Sequence, residues 1–248
     1  MLFSRNRIRI ESRSSQKEIS LPRGMKGVKL RVQGSGNTVR LASPAFHGTI
    51  SVCGKDNTLI IGEDVCTGKD CYIQIGLPGA PCFGATVTVG RNTFLGEVDI
   101  RTAEVGSRII IGEDSMFSVG VKVWGTDGHM LRHADGRLNV GREVLIGHHV
   151  WVGADVRIGK NTTIADDSVV GWGSTVHGRF TEPASVISGN PAVVRNSGVT
   201  WDSDLVSLHQ EGARILTEKD WMAAAPAPPP AASLPIPASC SVPRTCPL

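Results

Sequence analysis

The sequence has few aromatic residues, no strong charge imbalance and no long apolar run, and each shortage limits what the chain can be. Aromatic side chains make up 5% of the 248 residues, so a core built around large rings is not expected. With 26 basic and 23 acidic residues, the formal net charge of +3 does not by itself indicate nucleic acid or an anionic membrane as a partner. No apolar stretch approaches the ~20 residues of a membrane span, and residues 1–10 lack the apolar run of a signal peptide. We therefore expect a cytoplasmic protein with no transmembrane segment and no nucleic-acid partner.

The cysteines are few, and their spacing does not suggest a redox pair or a zinc knuckle. No two of them are separated by the two-residue gap that such motifs use. They are Cys53, Cys66, Cys71, Cys82, Cys240 and Cys246. Because free cysteine usually behaves as a small apolar side chain, we interpret most of them as buried packing residues and expect no bound metal.

Glycine, by contrast, is abundant, with 29 residues, and much of it follows a six-residue pattern. In this pattern an aliphatic residue recurs at every sixth position and is usually followed by Gly or Ala. In the longest run the aliphatic positions are Ile146, Val152, Ile158, Ile164, Val170 and Val176. The same hexad occurs upstream at Ile61-Gly62, Val89-Gly90, Leu95-Gly96 and Ile111-Gly112. An α-helix would need apolar residues every three or four positions, and an ordinary strand every second position.

A six-residue step instead fits a short strand followed by a turn. The aliphatic residue would point inward, and the small residue would tolerate the backbone angles of a tight corner. Three such sides make one coil of about eighteen residues, and stacked coils bury a shared core. A further repeat, RVQGSGNTVRL at 31–41 and SVCGKDNTLII at 51–61, recurs after twenty residues. The sequence thus predicts an all-β solenoid of parallel strands; a β-sandwich would have to produce these spacings by chance.

Changes in this pattern suggest the domain boundaries. Residues 1–27 are expected to form an N-terminal cap or first strands, and residues 28–195 the solenoid. The hexads stop after Gly189-Asn190-Pro191, and a helix is predicted at residues 196–222. Residues 223–248 are rich in Ala and Pro, which predicts a disordered tail.

Two segments interrupt the hexads, at 77–85 and 124–145. The second, WGTDGHMLRHADGRLNVGREVL, concentrates polar side chains on a scaffold that is otherwise short of them. From Val123 to Ile146 is one residue short of four hexads, so this segment must project from the coil wall as a loop. Long loops on repeat scaffolds are often functional.

The motifs around this loop resemble those of the hexapeptide-repeat acyltransferases. They are hexads of the form IGxxVxVG, TDGH at 126–129, VWVG at 150–153, and GNPA at 189–192 followed by Arg195. The resemblance extends from about residue 31 to 195 and is closest to the bacterial polysaccharide and capsule O-acetyltransferases. It implies a left-handed parallel β-helix; the hand comes from the resemblance, because spacing does not determine it.

The resemblance also implies a reaction, the transfer of an acetyl group from acetyl-CoA to a hydroxyl of a bacterial surface glycan. It assigns the general base to His129, and an imidazole suits this role because its free pKa is about 6.5. Asp127 is a candidate for orienting that ring, although Asp before Gly is also typical of a turn. His133 is the alternative base. Trp151 matches a tryptophan placed beside the acceptor or the CoA arm.

The resemblance further implies that CoA lies along the C-terminal coils, between the subunits of a homotrimer. Small residues would let the pantetheine arm approach the coil, and basic residues would bind the CoA phosphates. The small candidates are Gly153, Gly171, Gly173 and Ser174; the basic candidates are Arg157, Lys160, Arg179 and Arg195. Trp172 is expected at a subunit contact, and His148 and His149 are expected to be exposed to solvent.

Other functions stay open on the sequence alone. The acceptor could be a small molecule, such as a galactoside, an amino sugar or a nucleotide sugar. The same solenoid also carries zinc-dependent carbonic anhydrases, although the histidine spacing here does not match theirs. A non-catalytic scaffold is a further alternative, against which the intact polar loop argues.

Overall fold

The computed structural model describes residues 6–68 and 70–203. Apart from a short 3-10 helix at Arg13–Ser15, the regular structure of these residues is β-strand. The helix predicted at 196–222 does not begin at 196, because the last strand runs to Ser197 and residues 198–203 are not helical. The rest of that predicted helix, the tail predicted at 223–248, Cys240 and Cys246 lie outside the described residues. Within the described ranges, no helix has the length and hydrophobicity needed to cross a membrane.

The described strands form three sheets. Sheet A consists, in order, of β1 (Arg7–Ile10), β3 (Val28–Ser35), β5 (Gly48–Lys55), β8 (Tyr72–Ile75), β12 (Val98–Thr102), β15 (Val121–Trp124), β18 (Arg157–Ile158) and β21 (Thr175–Val176), with β9 (Cys82–Phe83) beside β5. Sheet B consists of β2 (Glu18–Ser20), β4 (Thr38–Leu41), β6 (Thr58–Ile61), β10 (Thr86–Val89), β13 (Arg108–Ile111), β16 (Glu143–Ile146), β19 (Thr162–Ile164) and β22 (Arg179–Phe180). Sheet C consists of β7 (Cys66–Thr67), β11 (Phe94–Leu95), β14 (Met116–Phe117), β17 (Trp151–Val152), β20 (Val169–Val170), β23 (Ser185–Gly189) and β24 (Ala192–Ser197).

From β5 onward the chain visits sheets A, B and C in turn, and each visit adds a strand beside that of the previous coil. Strand pairing within the sheets is parallel, except that β23 and β24 pair antiparallel at the C-terminal end. The predicted all-β solenoid is thereby confirmed. The 1–27 segment contributes β1 and β2, which pair with β3 and β4 and so stack on the coil that those strands begin.

The core is a column of aliphatic side chains enclosed by the three sheets. The six hexad aliphatics from Ile146 to Val176 are each no more than 2% exposed, as the six-residue spacing predicted. Successive coils stack like residues: Leu59, Val87, Ile109 and Val144 lie side by side on sheet B. Because each coil presents its aliphatics to the next, burial stabilises the stack rather than any single turn.

Cysteines behave as the composition suggested, with one exception. Cys53, Cys71 and Cys82 are buried and free, whereas Cys66 is exposed. Burial raises the pKa of the Cys71 thiol to about 12 and that of Cys82 to about 11, so both stay protonated and unreactive near neutral pH.

The glycines that follow the inward aliphatics were expected to provide unusual backbone angles at the corners. They are required for a different reason. Gly112 follows an inward aliphatic but does not have a positive φ; the left-handed residue is Asp114, two positions later, with φ of 57°. A Cβ on Gly112 would lie 2.3 Å from the carbonyl oxygen of Gly147 in the next coil. Coil-to-coil approach therefore excludes a side chain at this corner position, while Asp or Asn supplies the left-handed turn.

The twenty-residue repeat corresponds to a ladder of buried asparagines at the corner between sheets A and B. Asn37 and Asn57 are both 0% exposed. Asn57 donates from its backbone N and from Nδ2 to Asn37 Oδ1, each at 3.1 Å. Its own Oδ1 accepts from the backbone N of Ala85 at 3.0 Å. The side-chain amides thus satisfy corner backbone groups that the strands leave unpaired.

Candidate active site

The polar segment forms a loop that leaves the end of β15 and returns at the start of β16, at the corner between sheets A and B. Within it, an isolated antiparallel bridge joins Arg132 and Leu138, and the residues around this bridge are exposed. Between the loop and residues 103–108 of the preceding coil lies a cleft of about 700 Å³. The loop therefore overhangs the coil wall, as the one-residue deficit in the hexad pattern predicted.

His129 lines this cleft and is exposed. Just before it, the backbone N of Gly128 donates to Thr126 Oγ1 at 3.1 Å, and Gly128 adopts a φ of 74°. That tight turn fixes the direction in which the chain enters His129. Within the described ranges no hydrogen bond is made by the His129 imidazole, so its ring nitrogens are available to a ligand in the cleft.

The walls of the cleft combine apolar and charged side chains. Met130, Leu131 and Leu138 contribute exposed apolar surface from the loop. Arg108 and Glu143 stand on the sheet B side, where Arg108 Nη2 donates to Glu143 Oε2 at 2.6 Å. A mostly apolar cleft with a few polar groups is typical of small-molecule sites.

A buried lysine joins the base of the loop to the coil. The Lys160 side chain is only 8% exposed, and its Nζ lies 2.6 Å from Asp127 Oδ2 and 3.7 Å from Glu104 Oε1. The same ammonium donates to the carbonyl oxygen of Asn139, while Asn139 Nδ2 donates to Asp127 Oδ2 at 3.1 Å. Glu104 Oε2 also accepts from the backbone N of Gly141. We call Lys160, Asp127, Glu104 and Asn139 the loop anchor, because they tie both ends of the loop to neighbouring coils.

On the other side of the anchor lies a groove of about 380 Å³ on the outer face of sheet A. Its lining includes Lys122, Trp124 and Arg157, together with His177. The His177 ring packs over Gly159, where a Cβ would lie 2.0 Å from a ring atom. The groove thus offers basic groups, a tryptophan and a bare backbone, which are the features expected where a phosphate-bearing pantetheine arm approaches a coil.

Trp151 lies on sheet C, away from the loop cleft. It is half-buried and pairs with Met116 and Val169 in the neighbouring strands. Trp201 packs beside it, with ring centroids 6.1 Å apart, and stacks on His149 at 4.2 Å. His149 is also held by Asp167, since its Nδ1 lies 2.9 Å from Asp167 Oδ1. Of the two histidines expected to be exposed, His148 is exposed and His149 is half-buried.

The residues predicted to bind CoA fall into separate places. Arg157 and Lys160 line the sheet A groove, and Arg179 is exposed on sheet B. Four others lie at the corner that follows sheet C: Gly153, Gly171, Gly173 and Ser174. Arg195 lies on the last strand of sheet C, β24. Gly153 adjoins the 78% exposed Trp172, and Arg195 Nε donates to the carbonyl oxygen of Ser188. Ser174 is buried and donates to the carbonyl oxygen of Gly171 at 2.6 Å, so its hydroxyl is used within the corner.

Sequence reasoning missed Glu104 and His177. Glu104 belongs to no sequence motif, because it lies where the hexad pattern is interrupted. It contacts Lys160 only because their coils stack on one another. His177 had a signal: it follows Gly159 by three hexads, and residues at that spacing lie in the same position on consecutive coils. Reading the sequence one coil at a time would have paired it with that glycine.

Among the described residues, no cluster of three or more His, Cys, Asp or Glu side chains is placed to hold a metal ion.

Comparison with known proteins shows that this chain is similar to acetyltransferases. No family model matches the sequence. Over 128 residues, half of this chain, it is 31% identical to polysialic acid O-acetyltransferase from Neisseria meningitidis, and it spans 56% of that protein's length.

Solved structures give a similar result over more of the chain. The crystal structure of the polysialic acid O-acetyltransferase OatWY matches with a TM-score of 0.62 and 25% identity, covering 80% of this chain and 88% of that one. The polySia-specific acetyltransferase NeuO is 21% identical with a TM-score of 0.49, over 81% of this chain and 93% of that one. The resemblance expected from the motifs is thus supported by these matches: this chain is similar to polysialic acid O-acetyltransferase and folds as a left-handed parallel β-helix.

Proposed function

We propose that this protein transfers an acetyl group from acetyl-CoA to a hydroxyl of a bacterial surface glycan. The proposal depends on the position of His129, which is exposed in a cleft of about 700 Å³ under the projecting loop. Among the described residues, none forms a hydrogen bond with the ring nitrogens of His129. The relatives named above, which are O-acetyltransferases of a sialic acid polymer, support a glycan as the acceptor.

The proposed reaction is a direct transfer. The acceptor hydroxyl attacks the thioester carbonyl while the His129 imidazole takes its proton. The resulting tetrahedral oxyanion collapses, the C–S bond breaks, and the thiolate of CoA receives the proton from the imidazolium. General-base catalysis by a positioned imidazole typically contributes 10²–10⁴-fold.

Groups around the histidine would support the two substrates. Lys122 and Arg157 in the sheet A groove would face the phosphates of CoA, as charge complementarity requires. In a homotrimer, Trp151 of one subunit would border the cleft of another and contact the acceptor or the CoA arm. Asp127 would act through the loop anchor, because its carboxylate is bound to Lys160 and Asn139.

The test is His129→Ala, assayed by release of CoA thiol with polysialic acid as the acceptor. We expect turnover to fall by roughly 10²–10⁴-fold with an unchanged melting temperature, since the side chain lies outside the core. His133→Ala is the matched control, because it removes an exposed imidazole from the same loop. If the His129 variant kept full activity, or the two variants lost activity equally, the assignment of the base would be wrong.

A further inference from the structure

The outer face of sheet A carries a patch of basic side chains that the transfer reaction does not use. On its first two strands the outward residues are Arg7 and Arg9 of β1 and Lys29 and Arg31 of β3, and all four are exposed. The strands pair with Arg7 opposite Lys29 and Arg9 opposite Arg31. We call this two-by-two arrangement the basic grid; its strands lie about 4.8 Å apart.

The charge of the basic grid is not neutralised within the described structure. Across residues 6–68 and 70–203, no salt bridge or side-chain hydrogen bond involves any of its four members. The next strands present Thr49, Ser51 and Tyr72, and these residues complete a shallow groove of about 310 Å³. Like charges directly opposite each other on paired strands are destabilising, so the grid weakens this end of the sheet unless an anionic ligand occupies it.

Basic side chains continue along the same face toward the loop. Arg101 on β12, Lys122 on β15 and Arg157 on β18 point outward, and the last two line the groove beside the loop anchor. Asp99 is the acidic residue among them, and Arg101 binds it through two hydrogen bonds of 2.7 and 2.8 Å. From β1 to β18 there are six steps between neighbouring strands, so the basic face spans about 29 Å. That length suits an extended chain rather than a single small anion.

The aromatic residues on this face favour a carboxylated glycan over nucleic acid. The Arg101 guanidinium lies between two rings, 5.0 Å from the Tyr72 centroid and 5.1 Å from the Trp124 centroid. Each ring therefore has a cation over one of its faces, which reduces the aromatic surface open to the base stacking that single-stranded nucleic acids use.

We propose that the basic grid binds an extended acidic polysaccharide, which then runs along sheet A toward the loop that carries His129. This inference rests on the proposed function and adds to it a separate binding surface for the acceptor. The grid holds a part of the chain remote from the reacting hydroxyl, so it raises affinity for long acceptors without taking part in chemistry.

The test is a variant with Arg7, Arg9, Lys29 and Arg31 all changed to Gln, compared with a control in which Arg13, Lys17, Arg23 and Arg91 are changed to Gln. Both sets consist of exposed residues and lower the net charge equally, but the control residues lie off the sheet A face. Binding of polysialic acid would be measured at low and high salt, with neutral dextran and a single-stranded DNA as comparison ligands.

We expect the grid variant to bind polysialic acid about tenfold or more weakly at low salt, with a smaller salt dependence than the wild type. The control should retain wild-type affinity, and dextran should bind neither protein. Equal affinity in the grid variant, equal loss in the control, or tighter grid-dependent binding of DNA would overturn the proposal. Circular dichroism would confirm that both variants are folded; if the grid variant failed to fold, the single change Arg31→Gln and its salt dependence would replace it.

Acetyl transfer to a short acceptor separates this inference from the proposed function. With a sialic acid disaccharide, the grid variant should match the wild type, whereas its KM for the polymer should rise with little change in kcat. If the wild type transferred acetyl groups to no acceptor, the proposed function would be wrong. The binding measurements would then still test whether the basic grid holds the polysaccharide.

Discussion

Among single residues, Lys160 is the one on which the position of the active-site loop depends. Its ammonium is nearly buried and lies between carboxylates that come from different coils, Asp127 at the start of the loop and Glu104 one coil earlier. Removing one partner from such a cluster leaves the other charged groups desolvated and unpaired. That costs more free energy than replacing the whole cluster with apolar residues.

We therefore predict that Lys160→Met lowers the free energy of unfolding by about 1–3 kcal/mol, because it leaves the partly buried carboxylates of Asp127 and Glu104 without their common cation. We also expect kcat for acetyl transfer to fall, since the loop that carries His129 is released from the coil. Denaturant unfolding and steady-state kinetics would measure the two effects, with Lys55→Met, an exposed lysine, as the control.

Kinetics of the same variant distinguish the anchor from the CoA-binding role that the sequence suggested for Lys160. A phosphate ligand would show its loss mainly as a higher KM for acetyl-CoA with unchanged stability. Asp127→Asn should reproduce the Lys160→Met phenotype, and the double variant should be less than additive, because both changes break one cluster.

The sequence identified candidate residues but not the partners that they contact. His129 was singled out through the TDGH motif and is exposed in the loop cleft, and its role as the base stays a prediction. Asp127, two residues earlier, was expected beside the imidazole, but its carboxylate is engaged by Lys160, which lies 33 residues downstream. Spacing along the chain does not reveal such a contact, since it forms only when one coil stacks on the next.

Among the structural elements, the corners constrain which residues the fold accepts more strongly than the strands do. Many strands are only two residues long and make few backbone hydrogen bonds of their own. The corners add bare glycines where coils touch, left-handed Asp or Asn residues, and the ladder of Asn37 and Asn57 in the early coils. Hexad spacing predicted the strands, but not that the glycine and the left-handed residue would be separate positions.

The asparagine ladder leads to a prediction about stability. Replacing Asn57 with Ala removes two donated bonds from Nδ2, to Asn37 Oδ1 and to the carbonyl oxygen of Cys82, and one bond accepted from Ala85. Each buried group left unpaired costs about 1–3 kcal/mol, so the variant should unfold at a clearly lower denaturant concentration. Asn196→Ala, at an exposed position, is the control. A midpoint for Asn57→Ala equal to that of the control would show that the ladder is dispensable.

For the β-helix as a whole, the three outer faces differ in chemistry. Sheet A is basic, from Arg7 to Arg157. Sheet B presents a row of half-buried, uncharged side chains: Ile60, Thr88, Ile110, Leu145 and Thr163 lie in register on neighbouring strands. Sheet C carries Phe94, Met116 and Trp151 in one row. An uncharged row of this kind suits contact between subunits, which is consistent with the proposed homotrimer.

The distribution of the predicted catalytic residues over these faces also argues for an assembly. His129 lines a cleft at the corner between sheets A and B, whereas Trp151 lies on sheet C. A single β-helix cannot bring these two walls to one ligand, because the filled core separates them. A cyclic trimer can, since each contact in it joins two different surfaces of the same chain.

Subunit complementation tests this arrangement directly. His129→Ala and Trp151→Ala chains, each expected to be nearly inactive alone, would be co-expressed so that mixed trimers form. If every site combines His129 of one chain with Trp151 of the next, random mixing under cyclic symmetry leaves about a quarter of the sites with both wild-type residues. Recovery of activity toward that level, measured as CoA thiol release, would support a shared site. Were the mixture as inactive as its parents while still trimeric by sedimentation, both residues would have to serve one chain, and the assignment of Trp151 to the site would fail.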